Sequence, residues 1–342
     1  MNLGRIGEAD MGNNQQSTNQ KTCKYCGSQA IVKRGTYKGT QLYWCKVCQR
    51  KFKGDDSLFH MKVKAEYVSR ALSDYYTGKS IGDIAIILKQ ETGYYPSKHV
   101  VYYWIDKFTN LAIKHFRQYK PQVGDVWVAD ETMLDMNNRK VWFWDIIDTK
   151  TRFLLSSRVS LSRTTEDARL LMECAYERAG KSPKVIITDK LRSYLDGIEL
   201  TFGSDTDHVE SSPFGGKEST AIVERFQGTL KDRTKVMRGF KDMDTLIQFT
   251  DGFLAYYNFI RPHEALEGKT PAGVAKIDYD VKSWGDVCRI PVSKETEVKT
   301  HKLPSIRIVK IKTEFPKAQR RRKRVRKPKP VHKTIAVSRS KA

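Results

Sequence analysis

The spacing of apolar positions changes twice along the chain, and each change marks a different kind of element. Near the start, AIVKRGTYKGTQLYW reads as two β-like runs around a Gly-containing turn. Over residues 62–116 the period becomes helical. There AEYVSRALSDYY stops at Thr77-Gly78, and Ser80 is placed to cap IGDIAIILKQETG with Asp83 at the capping-box position. Pro96 and Ser97 open a third helix, KHVVYYWIDKFTNLAIKHF. From Asp125 the pattern turns extended. VWVADETML, KVWFWDIID and RFLLSSRVS are three consecutive strands with short connections, predicting a meander or antiparallel trio. An amphipathic helix over 166–179 follows, with Thr164-Thr165 as caps. Then come the buried strand KVIITDK, a short helix near 193–198, an edge run near 208–211 and a Gly-Gly loop. Two long helices, over 219–237 and 245–259, complete the series.

The two β-like runs at the start lie between Cys23-x2-Cys26 and Cys45-x2-Cys48. Paired knuckles at this separation can offer four thiolates to one tetrahedral Zn²⁺, whose binding energy would fold a segment too small to fold alone. Two disulfides, or four unrelated thiols, are the rival readings; disulfides suit poorly a chain that opens on polar residues without the apolar stretch of a secretory signal. Cys174 and Cys288 stand apart and read as buried small apolar residues. The helical trio fits a helix-turn-helix unit as well as an ordinary three-helix bundle, and the neighbouring basic zinc segment favours the former. On that reading Lys98, His99, Tyr102 and Tyr103 face DNA.

The chain has 342 residues, enough for two or three folded units, and a formal charge of +23. Sixteen of its Lys and Arg residues fall in 301–342 against the single acid Glu314, so that end carries +15. Its densest part, KAQRRRKRVRKPK, includes Arg320, Arg321, Arg322, Lys323 and Arg324. Such a block repels itself and cannot bury a core; it reads as a flexible arm that seeks phosphate without reading sequence, the alternative being a merely solvated tail. No apolar run approaches the ~18 residues a membrane span needs. The partner these features predict is an acidic polymer.

Three acids stand out by position. Asp130 is placed at the end of the first long strand, in WVADET; Asp189 ends the apolar strand VIITDK; Glu224 lies on the helix AIVERFQGTLKDR. Carboxylates at the C-terminal edges of neighbouring strands can converge in the crevice where α/β sheets bind ligands, and a helix across that edge can add a third. Clustered carboxylates repel, and hard divalent cations relieve the repulsion. Two Mg²⁺ or Mn²⁺ ions ~3.5–4 Å apart suit phosphoryl transfer. Glu131 adjoins Asp130, but consecutive strand residues face opposite ways, so only one of them is expected at a metal. Lys231, seven residues after Glu224 on the same helix face, and Lys190, after Asp189, are candidates for a DNA phosphate or plain surface lysines. The Trp142/Trp144 pair reads as core. The order of three strands, helix, strand, helix, strand, long helix is that of a ribonuclease H-like α/β domain.

Over about 150 residues the chain resembles the catalytic core of DDE transposases of prokaryotic insertion sequences, and more distantly retroviral-type integrases. The matching pieces are WVADET, VIITDK, ERFQGTLKDR, the RGF at 238–240 and YYNFIRPHEALEGKTPA, with a zinc ribbon and helix-turn-helix in front. The resemblance implies that Asp130, Asp189 and Glu224 are the catalytic, metal-binding triad, Asp130 being chosen over Glu131 because the family motif places its catalytic Asp first. Many relatives carry paired Asn ahead of the Glu and a His three residues after it; here Thr220, Ala221 and Gln227 stand at those places. His263, in RPHEAL, is explained by anchoring of the loop as well as by chemistry.

The expected plan is multidomain: an α/β ribonuclease H-like catalytic core preceded by a zinc ribbon and an all-α helix-turn-helix domain. Residues 1–20 are read as disordered, 21–54 as the zinc ribbon, 58–118 as the helix-turn-helix domain, 122–276 as the catalytic domain, 277–315 as unassigned and 316–342 as a basic disordered tail. The function expected is a metal-dependent transposase binding the inverted repeats of its element, working as a homodimer or larger on DNA in the cytoplasm, associated with the nucleoid. The rivals are a non-catalytic DNA-binding derivative and a ribonuclease H-like nuclease.

Overall fold

A computed structural model describes residues 21–55, 57–58, 61–211 and 220–291. The cysteine-bearing segment is a three-stranded antiparallel sheet of β1 (Ile31–Tyr37), β2 (Thr40–Cys45) and β3 (Lys51–Lys53). Its small core is Cys23, Cys45 and Phe52, with Tyr43 stacked on Phe52 at 5.6 Å.

Three helices follow, α1 (Ala65–Tyr76), α2 (Ile81–Thr92) and α3 (Lys98–Phe116). Ser80 and Ser97 cap the second and third by accepting from the Asp83 and Val100 N–H groups, and Gly93 ends α2 in a left-handed conformation.

The larger sheet has five strands in the order β6-β5-β4-β7-β8, namely β4 (Val126–Met136), β5 (Arg139–Asp148), β6 (Leu154–Ser160), β7 (Val185–Thr188) and β8 (Asp207–Glu210). The first three pair antiparallel; β7 then pairs parallel with β4, and β8 parallel with β7. Helices α4 (Thr165–Ala179) and α5 (Arg192–Phe202) link the parallel strands. Thr164 and Asp167 form a full capping box on α4. The helix α5 runs past the residues 193–198 expected for it because Tyr194, Ile198 and Phe202 continue one buried stripe. Then come α6 (Ala221–Lys235), α7 (Met243–Phe259), α8 (Pro271–Val274) and α9 (Trp284–Arg289).

The three-helix unit and the large sheet share one hydrophobic core. Phe116 of α3 stacks on Phe259 of α7 at 4.2 Å, and the Arg233 guanidinium of α6 lies 4.1 Å from the ring centre of Tyr75 of α1. Gly252 of α7 faces Tyr76 and Thr109 so closely that a Cβ there would meet both side chains. The segment left unassigned by the sequence, as far as Pro291, folds back onto this junction. Trp284 stacks on Tyr76 at 4.9 Å and lines up with Tyr256 at 6.5 Å. The cue in sequence is slight: a Ser283/Asp286 capping box around one Trp. Asn258 ties α7 to the sheet by accepting from the Leu154 N–H at 2.9 Å and donating to the Leu154 carbonyl at 2.8 Å.

Trp284 is 1% exposed. Trp284→Ala should therefore destabilise the protein by about 3–5 kcal/mol, through lost burial and the cavity left behind. Thermal or denaturant unfolding checks this; a loss under about 1 kcal/mol, the range of surface substitutions, would mean that α9 does not brace the junction.

Candidate active site

The site begins with the pairing of β4 and β7. Val126, Trp127 and Val128 lie opposite Val185, Ile186 and Ile187 in parallel register. Continued by two residues, that register sets Asp189 level with Asp130. Asp130 is not at the end of its strand, where the apolar pattern predicts it. β4 continues to Met136 because its far half pairs with β5 alone, and Asp130 sits just beyond the last residue that β7 covers.

The carboxylates of Asp130, Glu131 and Asp189 each bring an oxygen within 4.8 Å of the others. This corrects the expectation that Glu131 points away. The pleat does send the two side chains to opposite faces. Asp130 pairs with Asp145, which accepts from Gln227 of α6 at 3.0 Å, whereas Glu131 pairs with Trp144, which packs edge-on against Tyr194 of α5. Beyond Val128, however, β7 no longer pairs with β4, and the longer Glu131 chain brings a carboxylate oxygen within 4.8 Å of those of Asp130 and Asp189. Arg163 donates to Glu131 Oε1 at 3.1 Å while its guanidinium lies 4.1 Å from the ring centre of Trp142. Trp142 is thus a clamp for Arg163 as well as packing. The Glu131 side chain is 3% exposed, and its Oε2 has no hydrogen-bond partner.

Glu224 is outside the 4.8 Å group. Its carboxylate accepts from the Thr220 hydroxyl at 2.7 Å, and it is near enough for its charge to act on Asp130. Asp189 Oδ1 accepts from the Leu191 N–H at 3.0 Å. Lys190 and Lys231 are exposed. Lys231 also lines a cleft of about 670 Å³ between the far half of β4, the end of α6 and the RGF turn. That turn is anchored by Phe240, whose N–H donates to the Asp135 carbonyl at 2.9 Å. The His263 ring nitrogen sits 3.0 Å from the Tyr257 carbonyl, which is loop anchoring.

The electrostatics are those of a site short of positive charge. Burial raises the Asp130 carboxyl, the Glu131 backbone N–H opposes it, and the charges of Glu131, Asp189 and Glu224 raise it further, to about 7. Glu131 is raised by burial and by Asp189, against the pull of Arg163 and Tyr194. Asp145, wholly buried with one oxygen unpartnered, is raised well above the usual carboxylate range by burial, which outweighs its hydrogen bond from Gln227. Asp145 and the Glu131 clamp are the parts that sequence reading misses. The available signal is an acid inside the apolar run VWFWDIID.

The four expected cysteines meet. Their sulfurs all lie within 4.8 Å of one another, with Cys23–Cys48 and Cys26–Cys45 both at 3.6 Å. Burial raises the Cys45 thiol, but the Cys48 and Val47 backbone N–H groups and the Cys26 and Cys23 thiols outweigh it and bring it to about 7. Lys98, His99, Tyr102 and Tyr103 all lie on the exposed side of the first two turns of α3. Arg320, Arg321, Arg322, Lys323 and Arg324 lie outside the described residues. Among the described residues no helix is long and apolar enough to cross a membrane.

A family model described as a DDE domain matches residues 124–263. An uncharacterized protein of Methanocaldococcus jannaschii is 24% identical over 225 residues, 63% of this chain and 94% of the relative. Among solved structures, the HTLV-2 integrase catalytic core domain in complex with magnesium is 17% identical, with 46% of this chain and 99% of that one covered at a TM-score of 0.36. The catalytic core domain of BIV integrase is 18% identical, with 45% and 94% covered at a TM-score of 0.35. The region matched by the family model begins just before β4 and closes at His263, so it contains every carboxylate of this site.

The Asp130 shift has a measurable consequence in metal-free protein. Its carboxyl titrates near ~3.9 when unfolded and about 7 when folded, so the folded state holds the proton more tightly. The stability this contributes is complete below the unfolded value and is lost as pH rises through 7. Asp130→Asn should leave metal-free stability at pH 4 nearly unchanged and raise it at pH 8 by about 4 kcal/mol at most, less as water screens the part-exposed carboxyl. Denaturant titrations across this range test it; parallel pH profiles for parent and variant would refute the shift.

Proposed function

We propose that this protein is a DNA transposase that cuts DNA at the ends of its element and joins the freed ends to target DNA. The observation that carries the reading is the β4–β7 register, which sets Asp130 and Asp189 side by side with a carboxyl held near 7 by burial and like charge. These residues suit hard cations. Every donor is a carboxylate oxygen, one of them is buried and unpartnered, and a divalent charge would relieve the repulsion. Asp130 and Asp189, with Glu131 or Glu224 as third ligand, would hold Mg²⁺ or Mn²⁺, as a pair in the two-ion form of this chemistry. Such ions supply Lewis-acid charge stabilisation and a more acidic water.

The reaction is two in-line displacements at phosphorus. Water forms a bond to the phosphorus at the element's end as the bond to the 3′-oxygen breaks, leaving a 3′-hydroxyl and a 5′-phosphate. That hydroxyl then bonds to a target phosphorus as a target 3′-oxygen leaves. No covalent protein intermediate is needed, so the chain's part is to position the strands. Lys231 and Lys190, exposed beside the acids, are suited to hold backbone phosphates. Arg163 keeps Glu131 turned toward the cluster. The four-cysteine segment suits structural Zn²⁺, and the exposed residues of α3 suit the element's ends, whose pairing calls for at least a dimer on DNA.

Asp189→Asn should reduce cleavage and joining of a substrate bearing the element's ends at least a thousandfold, while end binding in a gel-shift assay stays within about twofold. Retained cleavage would remove Asp189 from the reaction. Glu131→Gln and Glu224→Gln then identify the third acid. The one that abolishes Mg²⁺-dependent cleavage while preserving end binding holds the ion, and full activity in both would reduce the reading to two acids.

A further inference from the structure

The zinc-ribbon segment carries a feature that its cysteines do not explain. Between residues 21 and 54 there are nine Lys and Arg and no Asp or Glu. The sheet divides these residues by face. Ile31, Tyr43, Cys45 and Phe52 turn inward to the cysteine core. The alternate positions turn outward: Val32 pairs with Trp44 and Trp44 with Lys51, while Leu42 pairs with Lys53. On this outer face cations lie against rings. The Arg34 guanidinium is 5.1 Å from the Trp44 ring centre, and the Lys53 ammonium 5.1 Å from that of Tyr37. Tyr37 is 51% exposed and Val32 39%, although both are apolar enough to be drawn inside.

We infer that this outer sheet face is a binding surface for unpaired DNA, with Trp44 and Tyr37 as stacking platforms and Arg34, Lys51 and Lys53 along the backbone. A face of cations without a single acid is complementary to a polyanion. The interleaved rings choose the form of that polyanion. Phosphates alone need no indole, whereas every base offers a π-face to one, and an arginine beside the ring strengthens the stack. A three-stranded sheet is also too broad for the major groove, which admits a helix or a two-stranded ribbon. The inference rests on the transposase reading for the source of the DNA, since strand cleavage releases ends that can unpair.

The test uses the full-length protein and three probes: single-stranded oligodeoxythymidine, an abasic strand of equal length and a blunt duplex. Tyr37→Leu and Trp44→Leu should each weaken binding to oligodeoxythymidine about tenfold and leave the abasic strand and the duplex unchanged. Arg34→Gln with Lys53→Gln should weaken both single strands equally and lower the salt slope by about 1.4. Comparing probes within each variant cancels any contribution of the basic C-terminal residues. Bound zinc per chain reports whether Trp44→Leu is folded, and the exposed Tyr37 carries the test if it is not. Equal affinity of parent and ring variants for the base-bearing strand would overturn the inference, as would equal losses on all three probes. Strand joining by the parent, measured alongside, addresses the transposase reading separately.

Discussion

The arrangement depends on a parallel register of three residue pairs between β4 and β7. An antiparallel trio by itself presents acids along a strand with no reason for them to meet. Adding one parallel neighbour that stops at Thr188 places Asp189 level with Asp130 and leaves the sheet edge beyond it open. Because side chains alternate, a slip of one residue would turn Asp130 to the opposite face. The buried run Trp127, Val128, Ala129 against Ile186 and Ile187 resists such a slip, since each is at most 3% exposed. Apolar packing thus fixes the position of charges that would otherwise separate.

That constraint is also borne by the helices around it. The junction of α1, α3, α7 and α9 is rich in stacked aromatic rings, and Gly252 allows α7 to approach as closely as it does. The exposed turns of α3 and the carboxylate edge are therefore parts of one packed body. A displacement of α3 must disturb Phe116 on Phe259, and through α7 the Asn258 link to Leu154. A stiff connection between α3 and the crevice costs less positional entropy than a loose tether.

Period and punctuation make most of this legible. Strand, helix and cap positions follow from local rules, so Ser80, Ser97 and Thr164 can be read directly, as can the cysteine knuckles, whose ligands are close in sequence. What is not legible depends on how strands extend and on long-range approach. Apolar alternation fades after Asp130 and so suggests a strand end there, but β5 continues the ladder regardless of hydrophobicity. The rule that sets Glu131 aside holds for the Cα–Cβ direction and not for where a long side chain ends. Trp284 gives no sign of its destination, since its partners Tyr76 and Tyr256 lie in two other helices.

Asp145 shows how the site limits its own repulsion. It pairs with Asp130 across the ladder, on the same face, where a second negative charge would make ionisation of Asp130 harder still. Complete burial pushes the Asp145 carboxyl toward its neutral form, and Gln227 donates to its Oδ1 without adding charge. Many of the DDE transposases that the sequence resembles carry a His at the place Gln227 fills. A protonated imidazole there would favour the charged form of Asp145, whereas the amide adds no charge. The carboxylates of Asp130, Glu131 and Asp189 are gathered just past the last β4–β7 pair, with Glu224 on α6 acting on Asp130 through its charge.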